Sequence, residues 1–268
     1  MRRRLFALGP ALALALPLLA ASCAWAPAQE AAPAEVRHSL APTGALRVGV
    51  YAGSPTSLVR TRSGEAAGLS HDLGHLLGRE LGVPVRMVEF SRVAQVIDAL
   101  QAGELDFTFT NASEARARVV DFTPPLVRLE LGYLARPGSA IGRIEQVDQA
   151  GVSVGVSQGS SSQSSLPRVL RQASVVALPS LSEAARELQA GRLELFATNK
   201  GILFELADQV AGAQVLPGRW GLEHLAIAVP KGRDTAMPWL RAFAQRSQAS
   251  GQVAAMASRA GLRGLATD

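Results

Sequence analysis

From Leu46 onward, short runs of β-branched and aromatic residues alternate with stretches whose apolar residues recur every three to four positions. These two rhythms separate strands from amphipathic helices. Residues 47–51 (RVGVY) read as a strand. Leu69, Leu73, Leu76, Leu77 and Leu81 then share one helical face, Gly82 stands where a left-handed cap is wanted, and Pro84 bars continuation. Residues 83–90 predict a second strand, and Val93, Val96, Ile97 and Leu100 a second helix begun near Ser91 and closed by Gly103. Leu105, Phe107 and Phe109 alternate with Asp106, Thr108 and Thr110, so a third strand buries one face. The order β-α-β-α-β predicts a mostly parallel sheet with right-handed crossovers.

A second unit repeats this logic. Residues 152–156 and 175–178 predict strands with a serine-rich turn between them. A helix over 182–189 ends at Gly191, and a strand over 193–198 leads into a helix over 201–209. Residues 127–135 (VRLELGYLA) and 225–229 (LAIAV) are extended connectors, and two terminal helices carry Trp239, Phe243, Val253 and Met256. The chain is thus expected to build a first lobe from 45–132 and 224–268, with a second lobe, 133–223, inserted through two hinge strands. Open α/β sheets bind ligands at the carboxyl ends of their strands, so both lobes should face a shared cleft.

The ends change the picture more than the composition does. Arg2, Arg3 and Arg4 precede an apolar run over 5–20 and then small residues, the order of a secretory signal, so export to a periplasm is expected. Ala26-Pro-Ala28 offers cleavage after Ala28. LAASC offers a lipobox-like cleavage before Cys23, with Ala20 where Leu is usual. Cys23 is the only cysteine, which excludes an internal disulfide, and a lone thiol in an oxidising compartment favours acylation. Residues 29–44 are expected to form a flexible tether. Without the three signal arginines the formal charge falls from +5 to +2, so nucleic acid is not the expected partner.

Candidate chemistry gathers in three places. Ser113 followed by Glu114 reads as a helix N-cap with an acid in the first turn, which fixes Arg116 on a rigid element as a bidentate carboxylate clamp. Residues 155–162 (GVSQGSSS) put Ser160 and Ser161 at a helix N-terminus, where N–H groups and hydroxyls hold anions. The same stretch spells G-x-S-x-G around Ser157, with Asp208 and His224 following in the chain order of an α/β-hydrolase. That reading requires a helix directly after Ser157 and an oxyanion loop that the N-terminal strands lack. His71 and His75 are spaced i, i+4 but lack a third ligand and read as surface histidines; no metal and no cofactor is expected.

In order, the motifs RVGV, GLSHDLGHLLGRELG, DALQAGELDF, R-x-R-V-V-D-F-T-x-P, GVSQGSSS, ELQAGRLELFATN and LAIAVPKG resemble the family 3 extracellular solute-binding proteins over nearly all of 45–265. The resemblance implies a two-lobed, type II periplasmic binding protein fold. It also implies a small carboxylate-bearing ligand, amino acid or related organic acid, an ABC permease as partner, a monomer and no catalysis. Arg116, five residues before Asp121, matches the family's carboxylate-binding arginine, and Ser160 and Ser161 match its second-lobe anion turn. Asn111 replaces a Thr or Ser, with Thr110 beside it; Phe109 replaces a Gly, and the stretch from Asp106 to Arg116 is two residues short. The aromatic that often packs on the ligand in that family has no clear counterpart, although Tyr51 lies close by at the end of the first strand. The aspartate that receives the ligand ammonium falls on Asn199, which favours an organic acid or, failing that, recruitment of another acid such as Glu223. The rival readings are a dehydratase-like enzyme on this scaffold using Glu223 as acid, and a receptor reporting to a sensor kinase.

The lipidation reading is checked by expressing the protein in its own host. Cys23→Ser is expected to move it from the detergent phase to the periplasmic fraction, and a mature N-terminus at Gln29 would overturn it.

Overall fold

The computed structural model describes residues 32–266; Cys23 and both cleavage positions lie outside the described residues. The strands are β1 (Leu46–Tyr51), β2 (Val59–Arg60), β3 (Ala66–Ala67), β4 (Val85–Phe90), β5 (Thr108–Asn111), β6 (Val120–Phe122), β7 (Val127–Ala135), β8 (Ser153–Ser157), β9 (Ser174–Leu178), β10 (Leu195–Asn199), β11 (Gln214–Val215) and β12 (Gly221–Pro230). The helices are α1 (Ala34–Leu40), α2 (Leu69–Leu81), α3 (Val93–Gln101), α4 (Glu114–Ala117), α5 (Ser161–Val169), α6 (Leu181–Gln189), α7 (Lys200–Gln209), α8 (Met237–Ala249) and α9 (Gln252–Arg259).

Each lobe is built on parallel pairings. In the first, β1 pairs with β4 from Leu46↔Val85 to Tyr51↔Phe90, and Val48 bridges Phe107 in parallel. In the second, β8 pairs in parallel with β9 and β10. The connectors run antiparallel through both: β12 pairs with β5 and β6 on one side and with β7 on the other, and β7 continues to β10. A six-strand path, β5-β12-β7-β10-β8-β9, therefore passes from one lobe to the other. The two lobes have separate apolar cores. The largest joins Val48, Leu73, Leu77 and Phe107 to Ile227, Leu240 and Phe243, so the returning chain completes the first lobe. The second lobe packs around Tyr133, Val154, Val156 and Leu195 on one face of its sheet, and around Phe196, Leu188 and Leu203 on the other.

The predicted helices and strands occupy their expected stretches, and Gly82 caps α2 at φ 66°. The tether expectation fails from residue 34 on. Val36 and Leu40, four apart, bury one face of α1 in the first-lobe core, and the Arg233 guanidinium donates to the Ser39 carbonyl. A segment that can hide an i, i+4 apolar pair against a waiting core has reason to fold, however rich it is in Ala and Pro.

Beneath α1, Asp106 is 1% exposed and accepts from the Arg47 backbone at 3.0 Å, from Arg47 Nε and Nη2 at 2.8 Å each, and from Arg233 Nη2 at 3.4 Å. It joins β1, the entry to β5 and the return segment. Removing one member of such a network strands the others in low dielectric. Asp106→Ala is therefore expected to lower unfolding free energy by about 3 kcal/mol in urea titrations, far more than removal of an exposed surface pair.

Candidate functional site

Tyr51, Thr110, Asn111, Arg116, Ser160, Ser161 and Asn199 line one cleft between the lobes. Arg116 enters from α4, a single turn whose N-cap Ser113 accepts the Arg116 N–H at 3.4 Å. Its Nη1 donates to Thr110 Oγ1 at 2.8 Å and to the Asn111 carbonyl at 3.3 Å, and the residue is 8% exposed. Among the described residues no carboxylate lies within ion-pairing distance of it. Burial pushes its pKa down from the ordinary arginine value, and the negative charge of Glu223 opposes that fall. An arginine in this position is a cation waiting for an anion.

The second-lobe wall is made of helix beginnings. Ser160 is the N-cap of α5, its Oγ accepting the Gln163 N–H at 3.2 Å, while Ser161 sits at the first helical position. Asn199 caps α7 in the same way, its Oδ1 accepting the Ile202 N–H at 3.1 Å. With the oxygen engaged, the amide nitrogen faces the other way and donates to Glu223 Oε2 at 2.9 Å. Glu223 Oε1 accepts from Ser161 Oγ at 3.0 Å. The carboxylate, 7% exposed on β12, is thus held by two neutral donors and faces the cleft.

Tyr51 packs against apolar clusters on both sides of the cleft, with its hydroxyl 3.4 Å from Ser54 Oγ. Burial raises its pKa, so it stays a neutral phenol. Asn111 spends its Oδ1 on the His224 N–H at 3.0 Å, tying β5 to β12 as well as facing the cleft. The lobes approach closely at Gly159, where φ is +73° and a Cβ would stand 2.4 Å from that of Ala94. Only glycine fits that contact without moving α3 or the turn.

The hydrolase arrangement does not form. Ser157 ends β8 and lines the cleft, but the helix begins four residues later at Ser161. Asp208 pairs with Arg263 at the surface, and His224 is exposed in a separate groove with Arg128 and Gln248. His71 and His75 are half-buried rather than surface residues, their rings 4.7 Å apart and His71 Nδ1 2.7 Å from Asp72 Oδ1. Among the described residues no group of three or more side chains is arranged to hold a metal. Sequence reasoning passed over Thr56, Ser91, Arg92, Ser180 and Leu181, which also line the cleft. Ser91 and Arg92 follow β4, and Ser180 and Leu181 follow β9, so the rule of carboxyl strand ends was the signal available.

The chain matches the sequence model of the bacterial extracellular solute-binding proteins, family 3, over residues 46–261, and it belongs to that family. It is 24% identical over 194 residues to the ABC transporter glutamine-binding protein GlnH of Bacillus subtilis, covering 71% of each chain. It is 28% identical over 199 residues to the L-arginine-binding protein of Pseudomonas aeruginosa, covering 70% of this chain and 76% of that one. Among solved structures, an ancestral arginine-binding protein bound to arginine superposes with a TM-score of 0.71 at 26% identity, covering 81% of this chain and 97% of that one. The fold is the two-lobed, type II binding-protein fold.

An aspartate at position 199 would stand about 3 Å from Glu223, where two carboxylates cannot both ionise. Asn199→Asp is expected to lower the melting temperature clearly at pH 8 and much less at pH 5, where one proton can bridge the pair. Equal losses at both pH values would show that the two side chains do not interact.

Proposed function

We propose that this solute-binding protein captures a small α-amino acid between its lobes and delivers it to an ABC permease outside the cytoplasmic membrane. The observation that carries the reading is a buried arginine that, among the described residues, has no acidic partner and a buried carboxylate that there has only neutral ones, lining one cleft. Arg116 takes the ligand carboxylate through two parallel hydrogen bonds, with the N–H groups at the start of α5 completing the anion site. Glu223, steadied by Asn199 and Ser161, receives the ammonium. The family's negative charge is moved from position 199 to a hinge strand rather than lost. That arrangement favours the second of the two outcomes expected from Asn199, recruitment of Glu223, over an organic acid without an ammonium.

Because Arg116 belongs to the first lobe and Ser160, Ser161 and Asn199 to the second, one ligand touches both. Its binding energy then favours the closed arrangement by whatever contacts the open one lacks. The names of the relatives, a glutamine-binding and an arginine-binding protein of this family, support an amino acid as the solute class. The dehydratase alternative would use Glu223 to give up a proton. Both of its oxygens accept hydrogen bonds, which suits a carboxylate receiving an ammonium better than an acid donating to a leaving group.

Arg116→Ala is expected to abolish amino-acid binding in calorimetry while the circular-dichroism spectrum stays native, because the clamp lies in a cleft and not in a core. Arg116→Lys should recover little, since an ammonium lacks the planar fork. Full affinity in Arg116→Ala would overturn the reading.

A further inference from the structure

The cleft holds a second arginine that the carboxylate clamp does not use. Arg92 stands just past the carboxyl end of β4, in extended backbone at the N-cap of α3, and lines the same cleft as Arg116 and Glu223. Its Nε is buried without a hydrogen-bond partner, and among the described residues no carboxylate pairs with its guanidinium. The neighbouring polar groups are already engaged. Ser91 Oγ donates to Gln95 Oε1 at 2.8 Å, and Ser180 Oγ accepts the Glu183 N–H at 3.1 Å while sharing a hydrogen bond with Ser182. Nothing in the described protein completes Arg92, and a buried N–H left unmade is costly unless something else satisfies it.

We propose that Arg92 receives an acidic group at the far end of the ligand, which makes the solute an acidic α-amino acid of the aspartate or glutamate class. The inference rests on the reading of Arg116 and Glu223 as carboxylate and ammonium anchors. Among the described residues three charged side chains line the cleft, two cationic and one anionic. An acidic amino acid carries two carboxylates and one ammonium, so each charge finds one opposite partner. A neutral amino acid leaves Arg92 unmatched, a basic one brings a like charge to it, and a dicarboxylate without an ammonium leaves Glu223 facing anions alone. Charge-assisted, bidentate pairs are the strong form of hydrogen bond, so the discrimination against amide isosteres should be large.

The test is calorimetry on the purified protein, unfolded and refolded to strip carried-over ligand, with L-glutamate, L-aspartate, L-glutamine, L-arginine and succinate. The wild type should bind L-glutamate or L-aspartate at least about tenfold tighter than any of the other three. Arg92→Gln should erase that preference by weakening L-glutamate and L-aspartate binding at least about tenfold. If Arg92→Gln fails to fold, Arg92→Lys and the wild-type selectivity carry the test, with Arg92→Lys keeping the acidic preference at reduced strength. A wild type that prefers L-glutamine or L-arginine, or an Arg92→Gln variant with unchanged preference, overturns the acidic-ligand proposal. In that event loss of all amino-acid binding in Arg116→Ala leaves the amino-acid reading standing. A wild type that binds none of the four amino acids overturns both.

Discussion

The cleft depends on the antiparallel pairing of β7 with β12, from Leu225↔Val127 to Gly221↔Leu131. These are the strands on which the chain crosses from one lobe to the other and back, so their register decides which residues meet at the crossing. Successive side chains of a strand point to opposite faces. Glu223 and Leu225, two apart on β12, both reach the cleft, whereas His224 between them turns outward into a separate groove. Slipping the register by one residue would exchange the carboxylate for the imidazole and turn the acid out of the site. The same strand pairs Leu225 with Asn111 of β5, and β7 pairs Leu131 with Asn199 of β10, so one ladder sets both walls.

Around that ladder, groups that satisfy helix ends also make the site. Ser160 and Asn199 cap α5 and α7, and these caps fix the direction of the neighbouring donors before any ligand arrives. Asn199 has two tasks that a carboxylate could not share: its oxygen closes the helix and its nitrogen holds Glu223. The terminal segment adds a further tie across the hinge. Leu265 bridges Leu129 of β7, Arg263 pairs with Asp208 and stacks over Phe204 of α7, and Lys200 meets Glu130 of β7 at 2.6 Å. Hinge, first lobe and second lobe are thereby joined at their surfaces, while the apolar cores stay separate.

Much of this was legible in the chain. The leucine rhythm of residues 69–81, the alternation over 105–110 and the connector 127–135 have local causes, and each element forms where its pattern lies. The motif order led to Arg116, Ser160, Ser161 and Asn199, and all four line the cleft. Less legible were elements whose reason to fold lies elsewhere in the chain. Residues 34–40 look like tether until the first-lobe core accepts Val36 and Leu40. The G-x-S-x-G at Ser157 looks like chemistry until its would-be partners are seen on other surfaces.

Periodicity, caps and connectors are properties of neighbouring residues, so the sequence by itself determined the α/β character, the two-lobed fold and the basic corner at Arg116. Which charges face one another is a property of residues far apart in the chain. Glu223 lies 24 positions beyond Asn199 and 62 beyond Ser161, and nothing local marks it as their partner. Arg92 is one of 25 arginines, distinguished by lining the cleft with its Nε buried and, among the described residues, without a hydrogen-bond partner. From the sequence Glu223 was one acid available for recruitment and Arg92 one arginine among many; only the tertiary structure shows which charges meet in the cleft, because electrostatic complementarity is set by distance and solvent exclusion, which the folded packing decides and the order of residues does not.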